Sequence, residues 1–223
     1  MVRQPVNSPP GSSGDPSYPA VTVVGVDPSL AHTGVCVLTD GRVVQEYALE
    51  TAPGDGPRPL RLYEQRERLA RIVLSARDSA AHVVVALESE IWLSNAHTAS
   101  EAAAIQAVYQ VVLWESRWPT LHFLPVNVAH VKKYCGAQQK DEVLLQVYKR
   151  WGREYKDHNL ADAFVLARIG HDFHTVLTGS STGDRLTKPQ REVLLKLAYT
   201  WEQQAAPKEK RRDRQRKRLT AQR

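Results

Sequence analysis

The sequence predicts an α/β fold, a mixed five-stranded sheet with helices on its faces. Three observations carry this. Strand-sized, β-branched runs alternate with helical patterns through the middle of the chain (VTVVGVD at 21–27, HVVVALE at 82–88, TLHFL at 120–124), and strands joined through helices pair in parallel. Asp40-Gly41, between two apolar stretches, is a hairpin signal, so the first three strands form an antiparallel meander. Two of the apolar strands end in a carboxylate, Asp27 and Glu88, and ligands of open α/β sheets gather at the carboxyl ends of strands.

The elements follow in chain order. Residues 1–20 are rich in Pro, Ser and Gly, cannot bury enough surface to order themselves, and are expected to be a disordered tail. Val21, Val23, Val24 and Val26 form a buried strand that stops at Asp27. Pro28 to Gly34 turns the chain, Gly34 to Thr39 starts the return, and Val43 to Leu49 is the third strand. After the turn-rich loop at 51–59, Leu62, Leu69, Ile72 and Val73 recur at helical spacing over 60–80. The strand at 82–88 is apolar throughout, as a strand covered on both faces is. A polar loop with Ile91 and Trp92 leads to a helix over 99–118, for which Thr98 and Glu101 form a capping-box pattern. The fifth strand, 120–124, is expected to end at Pro125 and Asn127. A short helix or turn at 128–136 follows, then helices over 141–151 and 159–176, and a polar linker at 179–183. A last helix is expected over 186–204, with Pro189 in its first turn. The expected organisation is thus a tail to 20, a folded domain at 21–178, and a linker, helix and basic tail at 179–223.

At 223 residues with 42% hydrophobic content, the chain can bury a sizeable core. No apolar run reaches membrane-span length, and the N-terminus lacks a signal-peptide pattern. Cys36 and Cys135 form no CxxC pair, which points to a reducing cytoplasm without a disulfide. Net charge is +6 and unevenly placed: residues 179–223 carry 13 Lys and Arg against 5 Asp and Glu, while the rest carries 17 against 19. A block such as KEKRRDRQRKR at 208–218 attracts polyanions, nucleic acid first, though a solvated tail has the same composition.

A carboxylate closing an apolar strand is costly to bury without a partner. For Asp27 a metal ion is one such partner; a water, a backbone cap or a nearby lysine are others. Asp162, between Ala161 and Ala163 on the apolar face of the helix over 159–176, is a third buried-type carboxylate, with His158 and Asn159 one turn earlier. Helix capping accounts for Asp157 or Asn159 but not for Asp162. Glu90 shares a face with Glu88 only if the strand runs on through Ser89, so it ranks below Glu88. The histidines His32, His97 and His130 show no zinc spacing.

Four segments, GVDPSLAHTG at 25–34, VVALE at 84–88, VKKYCGAQQKDEVLLQV at 131–147 and HNLADAFVLA at 158–167, resemble in order and spacing the RuvC group of Holliday-junction resolvases, most closely its divergent phage-type members. The resemblance covers roughly 21–175 and implies an RNase H-like fold and a nuclease whose acidic residues hold two Mg²⁺ ions, with Mn²⁺ able to substitute. It implies Asp27, Glu88 and Asp162 as catalytic metal ligands and Lys140 as a lysine near the scissile phosphate. The family carries Asp or His where this chain has Asn159, a neutral ligand whose missing charge His158 or Asp157 could supply. Trp92 corresponds to an apolar or aromatic residue that meets junction bases, a stacking role, or else it is a core or dimer-contact residue. Lys132 and Lys133, with Lys149, Arg150, Arg153 and Lys156, are candidates for a phosphate path, and as a charge run some are simply solvated. The implied partners are branched DNA and a second copy of the chain, with the helix over 99–118 as the candidate dimer face.

Two other readings use the same residues. A nuclease fold that binds branched DNA without cutting it rests on Asn159. An actin-like ATPase would use GVDPSLAHTG as a phosphate loop, but that fold needs a second, larger half for which this chain is too short.

Overall fold

The computed structural model describes residues 20–89, 96–116 and 121–205. Strands β1 (Val21–Asp27), β2 (His32–Thr39) and β3 (Arg42–Glu50) are followed by helix α1 (Arg58–Ser79), β4 (His82–Ser89), α2 (Ala96–Glu115), β5 (Leu121–Asn127), α3 (Val128–Cys135), α4 (Glu142–Trp151), α5 (His158–Leu177) and α6 (Lys188–Ala205). The five strands form one sheet in the order β3-β2-β1-β4-β5. The first three are antiparallel, and β1, β4 and β5 run parallel. At the hairpin between β2 and β3, Asp40 and Gly41 both have positive φ, 48° and 76°, which is the requirement that Asp-Gly satisfies.

Strand side chains alternate between faces, and both faces of this sheet are covered. On one face Val21, Val23, Cys36, Leu38, Val84, Ala86, Leu124 and Val126 pack with α3, α4, α5 and α6. On the other Val24, Val26, Val35, Val37, Val83, Val85 and Leu87 pack with α1 and α2 through Leu69, Ile72, Val73, Ile105, Tyr109 and Leu113. The segment after Gly179 joins the first layer: Val193, Leu194 and Leu197 of α6 are buried there.

Strand β5 and helix α2 differ from expectation at their ends. The fifth strand does not stop at Pro125 but runs to Asn127, with Pro125 opposite Leu87. Among the described residues β5 is an edge strand, with a row of amides that meet no strand, so a residue lacking N–H is tolerated. Asn127 then ends the strand by capping α3, its Oδ1 accepting from the Ala129 amide at 2.7 Å. Helix α2 begins at Ala96, ahead of Thr98, so Thr98 is inside the helix rather than its cap, and α2 ends at Glu115 instead of 118.

Helix α5 is buried over most of its length and lies directly on β1 and β2. A Cβ added to Gly25 would stand 2.1 Å from the Ala163 carbonyl oxygen, and one added to Gly34 would stand 2.2 Å from that of Asn159. The small residues Ala163, Ala167 and Gly170 complete the contact from the helix side. Gly25→Ala is therefore expected to destabilise the fold by about 1–3 kcal/mol or more, since backbone must move to admit the methyl group. Gly54→Ala, where the added Cβ meets nothing within 4 Å, should be near neutral. Urea denaturation of the two variants checks this.

Candidate active site

Alternation along the strands decides where the strand-end carboxylates point. Val23, Gly25 and Asp27 share a face of β1; Val84, Ala86 and Glu88 share a face of β4; both are the α5 face. Gly25 pairs with Ala86 and Val26 with Leu87, so Asp27 and Glu88 are neighbours at the ends of adjacent parallel strands. Across the other edge of β1, Asp27 pairs with Gly34, the residue on which the Asn159 backbone rests. The glycine contact thus brings the first turns of α5, with Asn159 and Asp162, to the same corner.

Asp27, Glu88 and Asp162 are only 7%, 7% and 5% exposed. All three line one cavity of about 650 Å³ together with Asn159, Lys140, Lys132, Glu101, Asn127 and the turn 28–31. Burial, then the charges of Glu88 and Asp162, hold Asp27 well above the usual carboxylate range. Burial and the charge of Asp162 push Glu88 up to about 7, against the pull of Lys140. Burial raises Asp162 to about 6, with Lys140 and His158 pulling it down. Among the described residues, the cation in ion-pair contact with the carboxylates is on the half-open side: Lys140 Nζ is 3.8 Å from Asp162 Oδ2, an ion-pair contact rather than a hydrogen bond, and its side chain is 64% exposed. Lys140 lies in the turn before α4, held by Glu142, whose Oε2 accepts from the Gln138 and Gln139 amides at 2.6 and 3.3 Å.

The start of α5 is fixed by a local network. Asp157 is the N-cap, its Oδ1 accepting from the Asn159 amide at 2.8 Å, and its Oδ2 is 2.8 Å from His32 Nε2. Both oxygens of Asp157 are therefore occupied, which leaves it a poor substitute for an acidic residue at position 159. Asn159 Nδ2 donates to the His32 carbonyl at 2.7 Å. That bond fixes the amide and leaves Oδ1 as the end available to a ligand. His158 has a buried Nδ1 without a hydrogen-bond partner among the described residues, and its charge acts on Asp162.

Hard oxygen donors on one cavity wall (the carboxylates of Asp27, Glu88 and Asp162 with the amide of Asn159) are the donor set that Mg²⁺ or Mn²⁺ takes. Among the described residues, no three His, Cys, Asp or Glu side chains already stand at mutual metal-ligating distance.

The remaining predicted residues fall in different places. Lys132 lines the cavity, whereas Lys133 on the next helical position bonds Glu192 of α6 at 2.5 Å. Arg153 bonds Glu46 at 2.9 Å and lies over the Tyr155 and Phe164 rings, and Lys149, Arg150 and Lys156 are exposed. Trp92 and Glu90 lie outside the described residues. Sequence reasoning placed Glu101 in a cap, but the structure puts it on the cavity wall, and the TASE pattern concealed that.

Sequence reasoning also missed a buried polar brace behind the turn 28–31. Thr33 Oγ1 donates to the Ser29 carbonyl at 2.7 Å and accepts from the Ser29 amide at 3.0 Å. Tyr109 OH is 2.9 Å from both Thr33 Oγ1 and Gln65 Oε1, and Gln65 Nε2 donates to the Leu49 carbonyl at 2.8 Å. The Leu30 carbonyl accepts from Thr51 Oγ1 at 2.5 Å. With the Ser29 amide committed to Thr33, and Pro28 lacking one, the turn has little left to cradle a phosphate as an ATPase loop would.

The raised carboxylates set a sign for pH dependence. Between 4.5, the ordinary value, and about 7, folded Glu88 keeps a proton that the unfolded chain has lost. Its contribution to stability is full at the acid end and is lost as pH rises through about 7. In metal-free protein, Glu88→Gln should therefore be more stable than the parent at about pH 8, on the order of 1–3 kcal/mol, with the gain vanishing near pH 4. Denaturant melts across pH check this.

No protein-family model matches this chain, and no curated protein matches it in sequence. Among solved structures it is similar to Thermus thermophilus RuvC in complex with Holliday junction substrate, with TM-score 0.56, 19% identity, and 71% of this chain and 96% of that one covered. It is similar also to Thermus thermophilus RuvC alone, with TM-score 0.53, 19% identity and the same coverage. The comparison reaches the fold, not the chemistry. The chain has the RNase H-like fold of RuvC, a mixed five-stranded sheet flanked by six helices among the described residues, with three buried carboxylates gathered at the carboxyl edge of its parallel strands.

Proposed function

We propose that this protein is a divalent-metal-dependent endonuclease that cuts Holliday junctions and other branched DNA. The observation that carries the reading is the convergence of Asp27, Glu88 and Asp162 on one solvent-reaching cavity. Structure by itself has no use for three buried carboxylates in one corner; a function that needs cations there does. The neighbouring fold, RuvC, has been seen in complex with a Holliday junction substrate, which favours branched DNA as the substrate class.

In this reading Asp27, Glu88 and Asp162 hold two Mg²⁺ ions, and Asn159 contributes its Oδ1 as an uncharged ligand. Bound there, the ions would activate the attacking water and offset charge on the leaving oxygen. Lys140, exposed at the rim in a turn braced by Glu142, stabilises the charge that develops on the scissile group. Lys132 guides the backbone into the cavity, Trp92 stacks on unpaired bases, and the basic tail adds sequence-independent attraction. Symmetric cutting of a four-way junction needs two sites, so the active species is a homodimer. Val111 and Trp114, exposed on α2, fit that helix as the pairing face. In a phage the task is the removal of branches from recombined or replicated DNA.

Asn159 also favours a second reading, a branched-DNA binder without cleavage, because the position brings no charge. Nicking of a synthetic four-way junction with Mg²⁺ or Mn²⁺ separates the two. Asp27→Asn, Glu88→Gln and Asp162→Asn should each reduce cutting to background while junction binding persists, and Lys140→Ala should slow it by about 10²–10³-fold. Full activity in any of the three carboxylate variants contradicts the assignment. Removal of 206–223 should weaken junction binding and flatten its dependence on salt without changing the rate of the bound complex.

A further inference from the structure

The opposite end of the same sheet carries a second cluster of ligand-type side chains. His82 is the first residue of β4, His122 the second of β5, and His174 lies in the last turns of α5. Alternation puts His82 in line with Val84 and Ala86, and His122 in line with Leu124 and Val126, on the α5 face where His174 arrives. Ring centres are 5.5 Å apart for His82 and His174, 6.1 Å for His122 and His174, and 6.5 Å for His82 and His122. The proposed active site makes no use of them: Asp162 and His174 are twelve residues apart on α5, about 18 Å along its axis.

Three features distinguish this cluster from ordinary packing. Its members come from three separate elements and meet ring to ring. His82 Nδ1 is buried without a hydrogen-bond partner among the described residues. Burial and the neighbouring imidazoles hold His122 below the ordinary value and His174 down to about 4, so both are neutral, the ligating form, at physiological pH. His171, one turn back, is not a fourth member: its Nε2 edge lies at the β2–β3 hairpin, where a Cβ on Gly41 would stand 3.2 Å from it, and its Nδ1 is 3.0 Å from Asp172 Oδ1.

We propose that His82, His122 and His174 form a site for one borderline transition-metal ion of the Zn²⁺ class, which ties the C-terminal end of α5 to the starts of β4 and β5. Imidazole nitrogens select Zn²⁺, Ni²⁺, Co²⁺ or Cu²⁺, whereas Mg²⁺ prefers the carboxylate corner. Three imidazoles at the usual zinc–nitrogen distance of about 2.0–2.1 Å have ring centres about 5 Å apart. The rings therefore close by roughly 1 Å on binding, by rotation of half-buried side chains, and among the described residues no such group is closed beforehand. Water completes the coordination.

The test is Zn²⁺ titration of the untagged full-length protein by calorimetry with Mg²⁺ in excess. One Zn²⁺ per chain is expected, with a rise in melting temperature that grows with Zn²⁺ concentration. His122→Ala and His174→Ala should weaken binding by more than the roughly 10–100-fold that loss of a supporting outer-shell group costs, while Asp27→Asn leaves it unchanged. X-ray absorption of the Co²⁺-loaded parent, which depends on no variant folding, should show imidazole nitrogen ligation. The proposal is overturned if Zn²⁺ does not bind with Mg²⁺ present, if binding survives both histidine substitutions, if it is lost in Asp27→Asn, or if Co²⁺ is ligated by oxygen alone.

Discussion

The close approach of α5 to β1 and β2 is the contact on which the rest of this structure depends. It exists because Gly25 and Gly34 have no side chains where the helix backbone passes. One strand register turns that contact into a site. Gly34 lies opposite Asp27, and the parallel pairing of β1 with β4 carries Glu88 to the same level. The helix supplies Asn159 and Asp162 from its first turns. Four ligand-type groups from three elements thereby share a corner, positioned by regular secondary structure rather than by loops.

That corner works against the stability of the fold. Asp27, Glu88 and Asp162 are buried where water cannot solvate them well, and each is raised above the usual carboxylate range. Among the described residues, the lysine in ion-pair contact with them, Lys140, is itself largely exposed. Two other buried polar groupings are met by partners: Tyr109, Gln65, Thr33 and Thr51 bond one another or backbone around the turn 28–31, and Asp172 is met by His171, Arg168 and the Tyr134 hydroxyl. The contrast marks the carboxylate corner as a place where structure alone does not account for the residues present.

Much of this could be read from the residues. The β-branched runs ending at Asp27 and Glu88 fixed two strand ends, and the helical period around Asp162 placed it on a buried face. Asp40-Gly41 adopts the backbone its type predicts. What escaped depended on tertiary context. Pro125 reads as a stop until its strand is known to be an edge. Glu101 reads as a capping residue until α2 is known to begin at Ala96. Lys132 and Lys133 are indistinguishable in sequence, yet one faces the cavity and the other is bonded to a helix 59 residues further on. The polar brace behind the turn joins residues from four elements, and no local pattern announces it. The roles of Gly25 and Gly34 also emerge only when α5 is placed on them.

The central claim is that Asp27, Glu88, Asp162 and Asn159 are one divalent-cation site. Anomalous diffraction from crystals soaked in Mn²⁺ addresses it directly. The account predicts Mn²⁺ bound between Asp27, Glu88 and Asp162, with the Asn159 amide oxygen as a ligand and Asp157 still capping α5. Manganese bound elsewhere, or a carboxylate corner that remains without it at saturating Mn²⁺, would contradict the account.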